Sequence, residues 1–229
     1  GIDWRTAGIE HAREVRDLLG GDYYVDYADD NASDGKVVRL GDIIAYHNET
    51  TVNWLGAFLQ GKYDTEKINL YGMGGISTIG YTYEDHFALN VDEDGNTIDN
   101  FVKAPSITTF QVKGGARYNL DDRLSTFVNA GYVQKPPILD NVIDYDGNVS
   151  TNPDNEKFIS TEVGGEYRSD LVAIKGSYYN TQWKDRNLTK SVTTGQGDSG
   201  DTDIIYLTGV DQSHSGFEIE SKVALHEMV

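Results

Sequence analysis

The chain has 229 residues, 37 acidic against 19 basic, no cysteine, and a formal charge of -18. That balance disfavours a nucleic-acid partner, which needs clustered Lys and Arg against phosphate, and the missing cysteines exclude disulfides and thiolate metal sites. No apolar run reaches the roughly 18 residues of a membrane helix, yet a mean hydropathy of -0.50 also suits a membrane barrel, whose strands alternate lipid-facing and lumen-facing residues.

In chain order, the first distinct segment is Ile9–Leu19. Its apolar Ile9, Ala12, Val15, Leu18 and Leu19 fall at helical spacing before Gly20-Gly21, which predicts a short amphipathic helix inside a long loop. Thr51–Tyr63 and Ile68–Asp85 then read as strands. Over Ser106–Leu120 the alternation is cleaner, with Phe110, Val112, Ala116, Tyr118 and Leu120 on one face and Gln111, Lys113, Arg117 and Asn119 on the other. Leu124, Val128, Ala130 and Tyr132 repeat the pattern, as do Ile159, Thr161, Val163 and Tyr167. Val172, Ile174, Gly176 and Tyr178 follow, and Phe217, Ile219, Val223 and Leu225 close the series. Runs of about ten residues are long for a soluble sheet and suit a tilted membrane strand.

The connections alternate strictly between short and long. Asp64–Lys67, Asp121–Arg123 and Ser169–Asp170 are tight turns, and long polar connections occupy about 6–49, 87–105, 136–156 and 185–212. An up-and-down barrel of the outer membrane joins strands in this way, with short periplasmic turns and long extracellular loops. Most of the negative charge lies in those long connections. Tyr63, Tyr118 and Tyr167 stand beside short turns, where an interfacial aromatic girdle belongs; ordinary cross-strand packing is the competing reading. The fold class is therefore all-β: an antiparallel up-and-down transmembrane barrel segment of about eight strands, with one short loop helix.

No catalytic constellation emerges. The five histidines, His11, His47, His86, His214 and His226, show no metal-ligand spacing along the chain. Glu162, Glu166, Glu218 and Glu220 read as lumen residues balanced by Lys113, Arg117, Lys175 and Lys222. Asp92, Asp94, Asp144 and Asp146, in two Asp-Gly-Asn turns, are candidates for Ca²⁺, but the twelve-residue ligand loop is incomplete and Asp-Gly also makes a plain tight turn. Tyr23, Tyr24, Tyr145 and Trp183 are candidate aromatic contacts for a flat or sugar ligand; alternatively Trp183 marks the outer membrane interface and the tyrosines pack the loops. No cofactor is implied.

Several segments carry a resemblance. GIDWR (Gly1–Arg5), REVRDLLGGDYYV (Arg13–Val25), NWLGAFLQGKY (Asn53–Tyr63) and INLYGMGGIS (Ile68–Ser77) are similar to barrel segments of TonB-dependent receptors of the Bacteroidetes type. NAGYVQKPPILDNV (Asn129–Val142), NPDNEKFISTEVGGEYR (Asn152–Arg168), YNTQWKDRNLT (Tyr179–Thr189) and HSGFEIE (His214–Glu220) continue it. Lys135-Pro136-Pro137 stands where the family usually has Arg-Ala-Pro, and Asn155-Glu156 replaces the end of its Asn-Pro segment. The resemblance implies a barrel of about 22 strands in the Gram-negative outer membrane. It further implies uptake of a siderophore, vitamin or oligosaccharide, powered by the TonB energy-transducing complex through a plug domain. On this reading residues 1–229 are a partial barrel domain, in contact with outer-membrane lipid, and the plug and remaining strands lie outside them. The alternative is a soluble or surface β-sheet module that binds glycan or calcium without transport. A second sheet covering the apolar faces would favour that alternative.

Overall fold

The computed structural model describes residues 1–91, 97–98, 100–144, 147–150, 153–194 and 201–224. Eight long strands follow one another in chain order: β1 (Ile2–Glu14), β2 (Ile43–Asp64), β3 (Ile68–Asp85), β4 (Ile107–Asn119), β5 (Leu124–Lys135), β6 (Glu156–Arg168), β7 (Val172–Thr194) and β8 (Asp201–Val223). Each pairs antiparallel with its neighbours in sequence, so the sheet is an up-and-down meander, and the short strand Phe101–Lys103 adds to β3 beside β4. Among the described residues β1 pairs with β2 alone and β8 with β7 alone. The sheet is open at both edges.

Register settles which side chains share a face. Val112, Tyr132 and Ile159 lie across β4–β6, and Ala116, Val128, Val163, Tyr178 and Phe217 continue the same face to β8. On β2 and β3 that face carries Leu55, Ala57, Leu59 and Tyr63 opposite Ile76, Gly74 and Leu70. From Tyr63 to Leu55, Tyr118 to Phe110 and Tyr167 to Ile159, the outward positions hold apolar residues, Gly or Thr and no charge. Nine residues extend about 27 Å, and a tilt near 40° leaves about 21 Å of height, close to the lipid-facing band of an outer-membrane barrel. Leu59 is 80% exposed, Phe217 82% and Ile219 81%. No second sheet covers them among the described residues.

The three short turns lie at one end, at 65–67, 120–123 and 169–171. Tyr63, Tyr118 and Tyr167 sit beside them, exposed on the outward face, as a girdle requires. Asp121 caps its turn by accepting the Arg123 and Leu124 backbone N–H groups at 2.7 and 2.8 Å. Those bonds favour the charged carboxylate and hold its pKa below the ordinary value. A depressed folded pKa means the cap contributes fully above the unfolded value near pH 4 and is lost as pH falls through the folded one. We expect the urea midpoint of the folded protein to fall between pH 6 and pH 3 by less in Asp121→Asn than in the parent. An identical pH slope in both proteins would contradict this capping role.

The opposite end holds the buried core. Tyr81 and Tyr83 of β3 pack with Ala104, Val142 and Ile143, and Val52, Ile79 and Ile107 adjoin them. The Tyr81 hydroxyl donates to the buried Pro137 carbonyl at 2.9 Å. The connection from Pro137 to Ile143 is thus folded against the concave face rather than splayed into water. In the 15–42 connection, Tyr24–Asp26 pairs with Lys36–Val38, and buried Asp26 accepts the Ala45 N–H at 3.0 Å.

Two expectations need correction. Ile9–Leu19 is not a helix: Ile2–Glu14 is strand, with Ile9 opposite Thr50 and His11 opposite Asn48. Pairing along β2 supplies a partner for a 13-residue strand, and that tertiary contact outweighs a local helical periodicity resting on five apolar side chains. Nor are the described parts of 185–212, residues 185–194 and 201–212, a loop. β7 and β8 continue as one hairpin to Thr194 and Asp201, through register shifts near Arg186. Its β-branched residues make strand, but without alternation of apolar and polar faces the periodic signal is silent.

Candidate functional site

The concave face is polar and cross-linked. Arg117 of β4 bonds both Ser125 and Glu166, and Glu166 also takes Arg168 at 2.6 Å. The Tyr71 hydroxyl donates to Asn129 Oδ1 at 3.1 Å, while Asn129 Nδ2 donates to Glu162 at 2.8 Å, with Lys175 4.0 Å from Glu162. Tyr71 and Asn129 both close over Gly115, where a Cβ would overlap them, so only glycine admits this pair. Lys62, Asn69, Tyr71, Arg117, Phe127 and Lys175 are among the residues around a groove of about 490 Å³. Such a wall offers donors and acceptors of both signs to a passing polar solute. The expected pairing of Glu162 and Glu166 with lumen cations holds for Arg117 and Lys175.

Above this wall, Trp183 faces the concave side. Its Nε1 donates to Glu156 at 2.8 Å, its ring lies 4.7 Å from Phe158, and the Arg186 guanidinium stands 4.1 Å from the ring centroid. Glu156 is 1% exposed and also receives Lys135 Nζ at 3.1 Å. The register shared with Phe158 and Val133 places Trp183 off the outward band, which corrects the reading of it as an outer-interface marker. Tyr23 and Tyr24 are 59% and 53% exposed on the 15–42 connection, and the structure does not bring them to Trp183. Asp144 accepts both the backbone N–H and the side-chain amide of Asn148, at 2.8 and 3.1 Å, around Gly147 at φ 77°. This is the geometry of a tight turn. Tyr145, Asp92, Asp94 and Asp146 lie outside the described residues.

One cluster was not legible along the chain. His47 and Glu49 on β2, Glu84 on β3 and His86 just past its end form mirrored His-x-Glu and Glu-x-His pairs, with Glu49 opposite Glu84 on the outward face and the His86 N–H donating to the His47 carbonyl. Ligand atoms of His47, Glu49 and His86 lie within 4.8 Å of one another, and the two imidazole centroids are 4.3 Å apart. His47 and Glu49 fall in the expected 6–49 connection, whereas the strand begins at Ile43, so no expected register brought them to His86.

Comparison with known proteins bears on the fold. A family model described as "TonB dependent receptor-like, beta-barrel" matches residues 2–225. The siderophore receptor PirA from Pseudomonas aeruginosa is similar in structure, with TM-score 0.53 and 15% identity over 81% of this chain and 42% of that one. The ferric-catecholate import receptor Fiu from E. coli K12 gives TM-score 0.51 and 13% identity over 84% and 28%. The copper transporter OprC gives 0.52 and 13% over 99% and 33%. The chain thus spans less than half the length of each of these three. No curated protein matches it by sequence.

Proposed function

The chain belongs to the TonB-dependent receptor-like β-barrel family, and from that membership we propose that it forms part of the wall of a receptor for energised solute uptake. Its place is the outer membrane of a Gram-negative cell. The carrying observation is the two-faced sheet: an uncharged outward band about nine residues tall, and an inward face of paired ions and amides. Lipid accepts the first, and a plugged aqueous lumen accepts the second. The plug, the TonB contact and the remaining strands belong on this reading to segments outside these 229 residues. The solute is a siderophore, vitamin or oligosaccharide, gripped by extracellular loops and the upper wall near Trp183. The wall performs no covalent chemistry; it supplies hydrogen bonds that a solute exchanges in passing.

The test is uptake of labelled candidate solutes by cells expressing the full-length protein, with and without a functional TonB. The proposal predicts uptake that disappears with TonB. Equal uptake in both strains would instead mark a passive channel.

A further inference from the structure

We propose that His47, Glu49 and His86 bind a divalent transition-metal ion of the Zn²⁺ type on the outward face, above the apolar band. Glu49 lies three outward positions beyond Leu55, with the polar Asn53 and Thr51 between them, so the cluster is clear of the hydrocarbon layer.

Charge is the first argument. Glu10 lies directly opposite Glu49, and Glu49 directly opposite Glu84. Like charges facing each other across strands destabilise a sheet, and here three stand in one row. Their ion-pair partners among the described residues are His47 and His86, with His47 Nε2 2.9 Å from Glu10 and His86 Nε2 and Nδ1 3.4 and 3.7 Å from Glu49 and Glu84. A dication between them removes the repulsion.

The second argument is an unmet group. The His86 Nε2 atom is shielded from solvent and makes no hydrogen bond, its nearest carboxylate oxygen being the Glu49 ion-pair contact at 3.4 Å. A metal bond at Nε2 would satisfy it. His86 Nδ1 then keeps Glu84 as its neighbour, the carboxylate–imidazole arrangement that orients a metal-bound ring. Glu10 stands in the same relation to His47.

Ligand chemistry sets the ion. Two imidazoles and one carboxylate suit Zn²⁺, Ni²⁺ or Cu²⁺ over Ca²⁺ or Mg²⁺, which take all-oxygen shells. Bonds of about 2.0–2.2 Å put neighbouring ligands roughly 3.4 Å apart. Drawing in atoms now within 4.8 Å asks for side-chain adjustment rather than strand movement. The site would bridge β1–β3 at the root of the 15–42 connection, because Asn31 Nδ2 donates to the His86 carbonyl at 3.1 Å and Asp30 N–H to the Phe87 carbonyl at 2.9 Å.

The experiment uses full-length protein, purified in detergent and stripped of metal, titrated calorimetrically with Zn²⁺ and followed with Co²⁺ by visible d–d absorption. We expect one high-affinity Zn²⁺ whose affinity drops about tenfold or more in each of His47→Asn, His86→Ala and Glu49→Gln, with loss of the Co²⁺ band in His47→Asn/His86→Ala. Glu49→Gln conserves shape and removes a like charge, so it reads the site where a histidine variant fails to fold. Absence of Zn²⁺ binding, or unchanged affinity in these variants, would overturn the proposal.

Discussion

Val163→Arg is expected to destabilise the barrel by about 2–4 kcal/mol, the cost of a cation near the middle of the lipid-facing band. Val163 lies between Val128 and Tyr178, midway from Tyr167 to Ile159 on the outward face. Nothing polar is available there: its cross-strand neighbours are apolar, and the backbone groups are spent on the ladder. The arginine would have to bend four to five bonds towards the headgroups or draw water into the bilayer. Lys113→Glu is the matched control. It lies on β4 within the same span of the band, between Tyr118 and Phe110, but on the concave face, exposed to water, and is expected to change stability by less than about 0.5 kcal/mol. Denaturant unfolding of the full-length protein in lipid vesicles measures both. Equal effects, or a larger one for Lys113→Glu, would mean that the faces are assigned the wrong way round.

The second large effect is expected at Glu156. Its side chain is 1% exposed and holds Trp183 and Lys135 together. Glu156→Ala leaves the Trp183 N–H without its acceptor and should cost about 1.5–3 kcal/mol, the range for a hydrogen bond to a charged group. Lys135 adds little, because it is 46% exposed and water replaces its partner. Glu156→Gln keeps an acceptor oxygen for Trp183, and more than half of the loss should return. Stability and tryptophan emission report the two outcomes. If Ala and Gln behave alike, the Trp183 bond is not what Glu156 contributes.

These expectations rest on features of unequal legibility in the sequence. The strands from Phe110 to Tyr178 announced their faces because one side meets an apolar medium and the other water, which writes the two-residue period directly into residue type. The short turns were equally plain. The upper half of β7 and β8 was silent for the same reason: with water on both sides, no period is imposed. Ile9–Leu19 misled because five apolar positions fit a helix, whereas the pairing with β2 that decides the matter is not a local property. The core of Tyr81, Val142 and Ile143 joins a strand to a connection far along the chain, and Pro136-Pro137 disguised that connection as ordinary loop. Trp183 was identifiable as a candidate, but its face depended on the register with Phe158. His47 and His86 likewise met only once β2 and β3 were aligned.

The lipid-facing assignment of one whole sheet face is the central claim, and these 229 residues contain no cysteine, so within them an introduced thiol is labelled alone. Spin labels placed singly at Val112, Val128 and Val163, and at Lys113, Asn129 and Glu162, in full-length protein in lipid vesicles, test it through collision with oxygen and with a water-soluble nickel complex. The first three sites are expected to favour oxygen and the second three nickel, alternating residue by residue along β4, β5 and β6. Nickel preference at both sets would place the sheet in water and contradict it.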